Sequence, residues 1–269
     1  MAFTLRVKGK IKLPNASMVV GLSGWGNAGE VSTFTVKYLI DKLEATKLGE
    51  ITSNRFYNYQ LQRPIVSIRH GMILDYKPPK NDLYYWRDKN KKVSLILLLG
   101  AEPHLDWPSY AEAVLKISEK FGVRRIYTIG GYLSDITYTD EPLITASTNN
   151  ESAISELESV GVELTNYTGP TSVYSEILWQ ARAYGISVMS LWCAVPIYVS
   201  GFYPRAAYYM LLKILKLIGI ELNLQDLRRR LSYFNIKTAE NLEGDFNLPE
   251  FSREFSERRS DDKEPTYRI

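Results

Sequence analysis

Residues Met18–Gly29, MVVGLSGWGNAG, join a short apolar run to four glycines that fall within nine positions. A helical pattern of apolar residues begins after them, at Glu30. A buried strand that passes into a helix through such a turn is typical of α/β layer proteins. Glycine also permits positive φ angles and the close approach of a neighbour or a ligand. The stretch therefore predicts the fold class and marks where a ligand would bind.

Strands and helices alternate through most of the chain. Val93–Gly100 is a continuous apolar run, and the helix after it is predicted to end at Phe121, with Asp106 as its N-cap. Ser187–Val195 is the last predicted strand, and Pro204–Ile218 is predicted as an amphipathic helix. This alternation predicts an α/β three-layer sandwich with a mainly parallel sheet.

A region of shorter strands lies between the glycine-rich turn and the long apolar strand. Ile51–Tyr59 is predicted as a strand, which the proline of Arg63-Pro64 interrupts. Val66–Ile68, Met72–Tyr76 and Leu83–Trp86 are predicted as short strands separated by turns. They suggest an antiparallel extension beside the parallel sheet.

The length of 269 residues fits one large domain, or one domain with an appendage. We predict an α/β core domain over residues 1–220 and a C-terminal helical extension over residues 221–245. Residues 246–269 are crowded with charges of both signs and contain Pro265. We expect this last segment to be a mobile tail.

Composition argues against several functional classes. The net charge of +3 is too small to indicate nucleic-acid binding, and only Arg228–Arg230 form a basic cluster. The apolar runs are too short to cross a membrane, and the N-terminus has no signal-peptide pattern. One cysteine, Cys193, and two histidines give no metal-ligand spacing. We expect a cytoplasmic protein without metal, membrane or nucleic-acid partner.

The glycines of Gly24–Gly29 match the dinucleotide-binding pattern GxGxxG. A dinucleotide site also needs an acidic residue at the end of the second strand, to hold the ribose. Here the second predicted strand leads towards Asn54 and Arg55, and Glu50 lies at its start. Trp25 adds bulk where the pyrophosphate would approach. We therefore predict that the glycines serve close packing and that the protein has no cofactor.

Any ligand of such a sheet would lie beyond the carboxyl ends of its strands, where four loops are expected to converge. The candidate pocket rim consists of eight residues: Gly24, Trp25, Gly26, Asn27, Glu102, His104, Gly131 and Tyr132. Glu102, His104 and Asp106 form a polar cluster of the kind that performs acid–base chemistry. The alternative is that Asp106 caps a helix and His104 lies on the surface, and no catalytic residue is assigned.

The run Gly21–Gly29 resembles the signature of the proteasome assembly chaperone family, in the branch named after its second chaperone subunit. The resemblance extends in the same order over roughly Met18 to Arg230. It includes the following runs: Arg63-Pro64, Gly100–Pro103, Gly130–Tyr132, Gly169–Thr171, Val195–Tyr198 and Pro204–Ala206.

This resemblance implies an α/β fold akin to that of nucleoside phosphorylases. It also implies a homo-oligomeric, non-enzymatic chaperone of the archaeal type that binds proteasome α subunits. The alternative is a small-ligand-binding protein, or a phosphorylase-like or ATP-dependent ligase-like enzyme, that uses the candidate pocket rim. Such an enzyme would bind nucleosides, nucleotides or phosphate.

The C-terminal residues give a further prediction about how the protein binds its partner. Archaeal-type members of the family are expected to dock through a terminal hydrophobic–tyrosine–any motif, which implies a role for Thr266, Tyr267, Arg268 and Ile269. In this sequence Tyr267 is third from the end rather than second, and Thr266 precedes it in place of a hydrophobic residue. A solvated tail with an incidental tyrosine is therefore the alternative to docking.

Overall fold

The computed structural model describes residues 4–7, 11–52, 55–88, 90 and 93–245. The chain divides into two units, one that ends at Leu224 and one that begins at Gln225. In the first unit, helices cover both faces of a large β-sheet, which confirms the predicted α/β three-layer class. The predicted tail over residues 246–269, including Thr266–Ile269, lies outside the described residues.

The strands are β1 Thr4–Val7, β2 Ala16–Ser23, β3 Thr46–Thr52, β4 Ile65–Arg69, β5 Met72–Lys77, β6 Asn81–Asp88, β7 Val93–Ala101, β8 Arg125–Ser134, β9 Ile144–Thr148, β10 Glu163–Leu164 and β11 Ser187–Pro196. The α-helices are α1 Val31–Lys42, α2 Trp107–Phe121, α3 Ile154–Ser159, α4 Val173–Gln180, α5 Pro204–Ile218 and α6 Gln225–Asp245.

In the described part of the chain, nine strands form the main sheet, in the order β1-β3-β6-β7-β2-β8-β11-β9-β10. The four central strands, β7, β2, β8 and β11, are parallel to one another. Towards one edge β6, β3 and β1 continue the sheet in antiparallel pairs, and towards the other edge β9 pairs antiparallel with β11. The carboxyl ends of the central strands therefore meet at one end of the sheet.

Two helical layers bury the sheet. Helix α1 packs with α5 in one layer, and α2 packs with α4 in the other. Met18 and Val20 of β2 belong to the same core cluster as Tyr110 of α2 and Ile177 of α4, and all four are buried. Burial on both faces explains why the central strands are continuous apolar runs rather than alternating ones.

The predicted strand Ile51–Tyr59 is wrong in its position. The strand in this region is β3, which ends at Thr52 and lies three places from β2 in the sheet. The apolar residues that suggested a strand are core residues of a loop. Phe56 is fully buried, with its ring 5.4 Å from that of Tyr110. The hydroxyl of Tyr57 donates a hydrogen bond to the Ala101 carbonyl at 3.0 Å. The apolar pattern of this stretch therefore reflects the packing of a loop into the core, and not a strand.

Asp106 occupies the N-cap position of α2, as predicted, but it does not cap the helix with its side chain. Asp106 lies before the helix with a φ of 52°, and its side chain makes no capping hydrogen bond. The start of the helix is tied down instead by Trp107, whose ring N–H donates to the Pro103 carbonyl at 2.7 Å. The other end agrees with the sequence, since Gly122 closes the helix in the left-handed conformation that glycine tolerates.

Strands β4 and β5 form a separate two-stranded antiparallel sheet, here called the arm (Ile65–Lys77). Both strands were predicted, but as part of the antiparallel extension of the main sheet. That extension consists instead of β6, β3 and β1. Every residue of the two arm strands except Asp75 is exposed. The arm is inserted between β3 and β6, near one edge of the main sheet.

The second unit contains α6. Its exposed residues include Arg228–Arg230, the basic cluster of the sequence. None of the helices in the described part of the chain combines the length and the apolar character that a membrane span requires.

Candidate functional site

The loops at the carboxyl ends of the central strands are joined by backbone hydrogen bonds. The amide of Gly131 donates to the Gly26 carbonyl at 2.8 Å, which connects the end of β8 to the turn after β2. The amide of Glu102 donates to the Ser23 carbonyl at 2.8 Å and so connects the end of β7 to the same turn. The structure thus brings Gly24–Asn27, Glu102 and Gly131 into one group, here called the loop cluster.

Glu102 connects two loops through its side chain. One carboxylate oxygen accepts a hydrogen bond from the Trp25 amide at 3.1 Å, and the other accepts one from the Val173 amide at 3.0 Å. The second bond holds the carboxylate at the first residue of α4, where a helix favours negative charge. A Cβ on Gly24 would lie only 2.8 Å from this carboxylate. Glu102 therefore fastens the loops together.

Trp192 of β11 fills the space beside the glycines. A Cβ added to Gly26 would lie 2.8 Å from its ring, and a Cβ added to Gly130 would lie 2.4 Å from it. The indole N–H donates to the Ser190 hydroxyl at 2.9 Å, and the ring meets Trp25 edge-on with a centroid distance of 6.1 Å. An indole ring thus occupies the place beside Gly26 that a ligand would need.

Sequence reasoning missed Trp192 because it lies inside a continuous apolar strand. In the sheet, Trp192 pairs directly with Gly130 on β8. A large aromatic residue opposite a glycine on a neighbouring strand can lie flat across that glycine. The pairing of β11 with β8 is a tertiary feature, and no short motif encodes it.

A buried hydrogen-bond network joins the end of β2 to both helical layers. The amide of Leu22 donates to the hydroxyls of Ser32 and Tyr174, each at 2.9 Å, and these two hydroxyls are 2.9 Å apart. Burial raises the pKa of the Tyr174 phenol above its ordinary value, so the phenol stays protonated and keeps a donor. This network was also missed, since its residues are separated widely in sequence.

Asn27 and His104 both have partners within the chain. The side-chain oxygen of Asn27 accepts a hydrogen bond from the Thr33 amide in the first turn of α1 at 3.1 Å. His104 Nδ1 accepts one from the Asn58 amide at 3.3 Å, and its ring lies against Tyr57. His104 is therefore bound to the loop before the arm, whereas Glu102 is bound to the loop cluster. The two polar groups serve different contacts.

Large apolar side chains are exposed around the loop cluster. Trp25, in the turn after β2, has 62% of its surface exposed. Four other large residues at the carboxyl ends of the central strands are more than half exposed. Together with Trp25 they form what is here called the apolar rim: Trp25, Leu105, Leu133, Ile197 and Tyr198. Tyr132, on β8 next to Leu133, is half-buried.

The described residues contain no group of three histidine, cysteine, aspartate or glutamate side chains that could hold a metal ion. Cys193, the single cysteine, is buried in β11, and burial raises the pKa of its thiol. It is a small core residue without thiolate character.

A sheet that is parallel at its centre and covered by helices on both faces has counterparts among known proteins. The chain belongs to the PAC2 family, whose model matches residues 21–238. An uncharacterized protein of Methanocaldococcus jannaschii is 25% identical over 227 residues, which cover 84% of this chain and 83% of that protein.

Two solved structures share the fold. A proteasome-assembly chaperone homologue of Mycobacterium tuberculosis has a TM-score of 0.79 at 23% identity, with 88% of this chain and 99% of that chain covered. An archaeal proteasome activator of Pyrococcus furiosus has a TM-score of 0.73 at 23% identity, with 90% and 99% covered. The PAC2 family model confirms the predicted family, and the two solved structures confirm its fold.

Proposed function

We propose that this protein is a non-enzymatic chaperone that binds proteasome α subunits as a homo-oligomer. The family and the two structural neighbours, a proteasome-assembly chaperone homologue and a proteasome activator, support a partner within the proteasome. The choice of α subunits and of a homo-oligomer rests on the resemblance of the glycine-rich signature Gly21–Gly29 to the assembly chaperones.

One observation above all supports protein binding at this end of the sheet. The polar groups of the loop cluster are engaged within the chain: both oxygens of Glu102 accept backbone hydrogen bonds, and Asn27 binds Thr33. The apolar rim, in contrast, is exposed. Small-ligand sites are concave and present convergent polar groups, whereas exposed apolar patches mark protein contacts. The arrangement fits a protein partner better than a small ligand.

The test is binding of the purified full-length chain to its cognate proteasome α subunit, measured by pull-down and light scattering. In the rim variant, Leu133→Glu is combined with Ile197→Glu. We expect it to weaken binding at least about tenfold, because charges would replace apolar residues at the centre of the contact. Trp179→Glu, at an exposed aromatic residue on α4, is the matched control and should bind normally. Equal binding by all three proteins would refute the proposed surface.

The tail is tested separately by deletion of Thr266–Ile269. A terminal carboxylate with an aromatic anchor can be captured by a partner, although the cost of ordering the segment limits its affinity. If the tail docks, the deletion should weaken binding without a change in the melting temperature. Normal binding by the deleted protein would leave the apolar rim as the contact and remove the tail from the proposal.

The competing enzymatic hypothesis makes a different prediction. A phosphorylase-like or ligase-like site at the candidate pocket rim would bind nucleosides, nucleotides or phosphate, and each bound ligand would raise the melting temperature. We expect no stabilisation by these compounds in a thermal-shift experiment. A large shift that disappears in Glu102→Gln would support the enzyme instead.

A further inference from the structure

The arm has one face made almost entirely of apolar side chains. Side chains alternate between the two faces of a strand, and residues directly opposite each other share a face. Val66 pairs with Tyr76 and Ile68 pairs with Ile73, while Leu74 is the additional residue at the bulge between these pairs. All five are exposed, by between 46% and 69%.

The other face of the arm is mixed and contains its charges. Ser67 pairs with Asp75, Ile65 with Lys77, and Arg69 with Met72. Lys77 Nζ is 2.7 Å from a carboxylate oxygen of Asp75 on the same strand. The arm is therefore an amphipathic two-stranded sheet that leaves its apolar face uncovered. Such a sheet is marginally stable in water by itself and needs a packing partner.

The region around the arm is basic. Residues 55–80 contain five lysines and arginines, of which Lys77 pairs with Asp75, the one acidic residue in this range, and Lys80 pairs with Asp82 at 3.1 Å. The segment between Arg125 and Arg182 is the opposite, with eight acidic residues and no lysine or arginine. Two parts of one chain with a net charge of only +3 thus have strong and opposite charges.

Part of that acidic segment lies at the edge of the main sheet furthest from the arm. This acidic edge comprises Glu151–Leu164, with α3 and the edge strand β10. Arg125 neutralises Glu156 at 2.9 Å, and the end of the Lys213 side chain lies close to Gly161. Three other carboxylates of the acidic edge are exposed: Glu151, Glu158 and Glu163. Leu164, in the edge strand, is also exposed.

The arm and the acidic edge of one chain are both exposed and lie apart from each other. Six strand spacings separate β6, next to the arm, from β10, which amounts to about 29 Å at ~4.8 Å for each spacing. The arm strands β4 and β5 have five and six residues, so they are about 20 Å long at most. A second molecule can bring the two surfaces together.

We propose that the arm of one copy of this chain docks on the acidic edge of the next copy, head to tail. The inference deepens the proposed function, since it rests on the homo-oligomer stated there. An interface of two different surfaces is heterologous, and it generates a closed ring when the rotation between neighbours closes. Stable interfaces bury about 800 Å² on each partner, with an apolar centre and a polar border. The arm has this composition.

The test uses charge reversal in the full-length protein, with sedimentation and light scattering as readouts. The arm variant combines Arg63→Glu with Arg69→Glu, and the edge variant combines Glu158→Lys with Glu163→Lys. All four residues are exposed. We expect each variant to sediment as a monomer at concentrations where the unmodified protein is oligomeric, because like charges would face each other across the contact.

Matched controls place the same charge changes elsewhere. Lys216→Glu on α5 and Glu119→Lys on α2 alter exposed residues away from both surfaces and should leave the oligomer intact. An equimolar mixture of the arm and edge variants should associate again, because each interface in the mixed assembly then joins opposite charges. The chain with all four reversals should recover the oligomer for the same reason. Recovery also shows that the variants are folded.

Three results would overturn the inference: an unmodified protein that is monomeric, an edge variant that keeps its full size, or a chain with all four reversals that stays monomeric. Loss of assembly in the arm variant alone would indicate symmetric pairing of two arms instead. Binding to α subunits is measured on the same samples. An intact head-to-tail oligomer without such binding would refute the proposed partner and keep this inference. A monomer that binds α subunits would refute this inference and keep the proposed partner.

Discussion

The loop cluster and the arm use similar residue types to opposite effect. In the loop cluster, glycines lie under an indole ring, and Glu102 is bonded to two backbone amides. In the arm, Gly71 has no atom within 4 Å of an added Cβ, and apolar side chains face outwards. The side chains of the first region are packed within a single chain, whereas the apolar side chains of the arm are exposed in the described part of the chain.

This difference separates residues that stabilise the fold from residues that are available for contacts. Substitutions in the loop cluster should lower the free energy of unfolding, and substitutions in the arm should change association instead. The following predictions test that division in order of expected effect. Each uses urea denaturation at one protein concentration, because assembly makes apparent stability depend on concentration.

The largest effect is expected for Gly131→Ala. The added Cβ would lie 2.4 Å from the backbone oxygen of Ala28, and the Gly131 amide is held by its hydrogen bond to Gly26. Because a backbone oxygen cannot rotate away, the clash must displace the turn after β2. We expect the free energy of unfolding to fall by about 3 kcal/mol, at the upper end of overpacking costs.

Gly71→Ala in the arm is the control for that substitution. Gly71 has a φ of 74° and open space around it, so an alanine there meets only backbone strain. A left-handed conformation costs roughly 1–2 kcal/mol for a non-glycine residue. Equal losses in the two variants would mean that the loop cluster is no more tightly packed than the arm.

Glu102→Gln should have an intermediate effect. The amide keeps one acceptor oxygen but presents an NH₂ group to one of the two backbone amides that the carboxylate now binds. Loss of a charged hydrogen bond costs roughly 1.5–3 kcal/mol, so we expect the free energy of unfolding to fall by about 2 kcal/mol. Glu119→Gln, at an exposed position on α2, should change it by less than ~0.5 kcal/mol. If Glu102→Gln lowered the free energy of unfolding by no more than this control, Glu102 would not fasten the loops together.

Much of the fold could be predicted because its signals are local. Pro204–Ile218 has a helical period, and the apolar run Val93–Gly100 matches a strand that is buried on both faces. The strand over Ile51–Tyr59 was misplaced because Phe56 and Tyr57 are buried from a loop, and a period of apolar residues does not reveal which partner buries them. Local patterns indicate the elements, whereas packing decides the exceptions.

The candidate site was predicted less completely, for the same physical reason. The glycines and Glu102 stand out in the sequence, but the side chains that explain them, Trp192 and Tyr174, come from distant elements. The exposure of the arm could not be predicted either. Its alternating apolar residues are those of an ordinary half-buried strand, and only the topology shows that nothing in the described part of the chain covers them.

The smallest effect on folding is expected where the apolar residues are most exposed. Ile73→Ala removes a side chain that is 69% exposed, so it should change the free energy of unfolding by less than ~0.5 kcal/mol. The same change at Ile117, fully buried on α2, should cost about 3 kcal/mol through lost burial and a cavity. Both are measured in the arm charge-reversal background, where assembly is expected to be absent. A loss above ~1 kcal/mol for Ile73→Ala in that monomer would mean that the arm packs on its own chain in solution, and the arm would then not be a free docking surface.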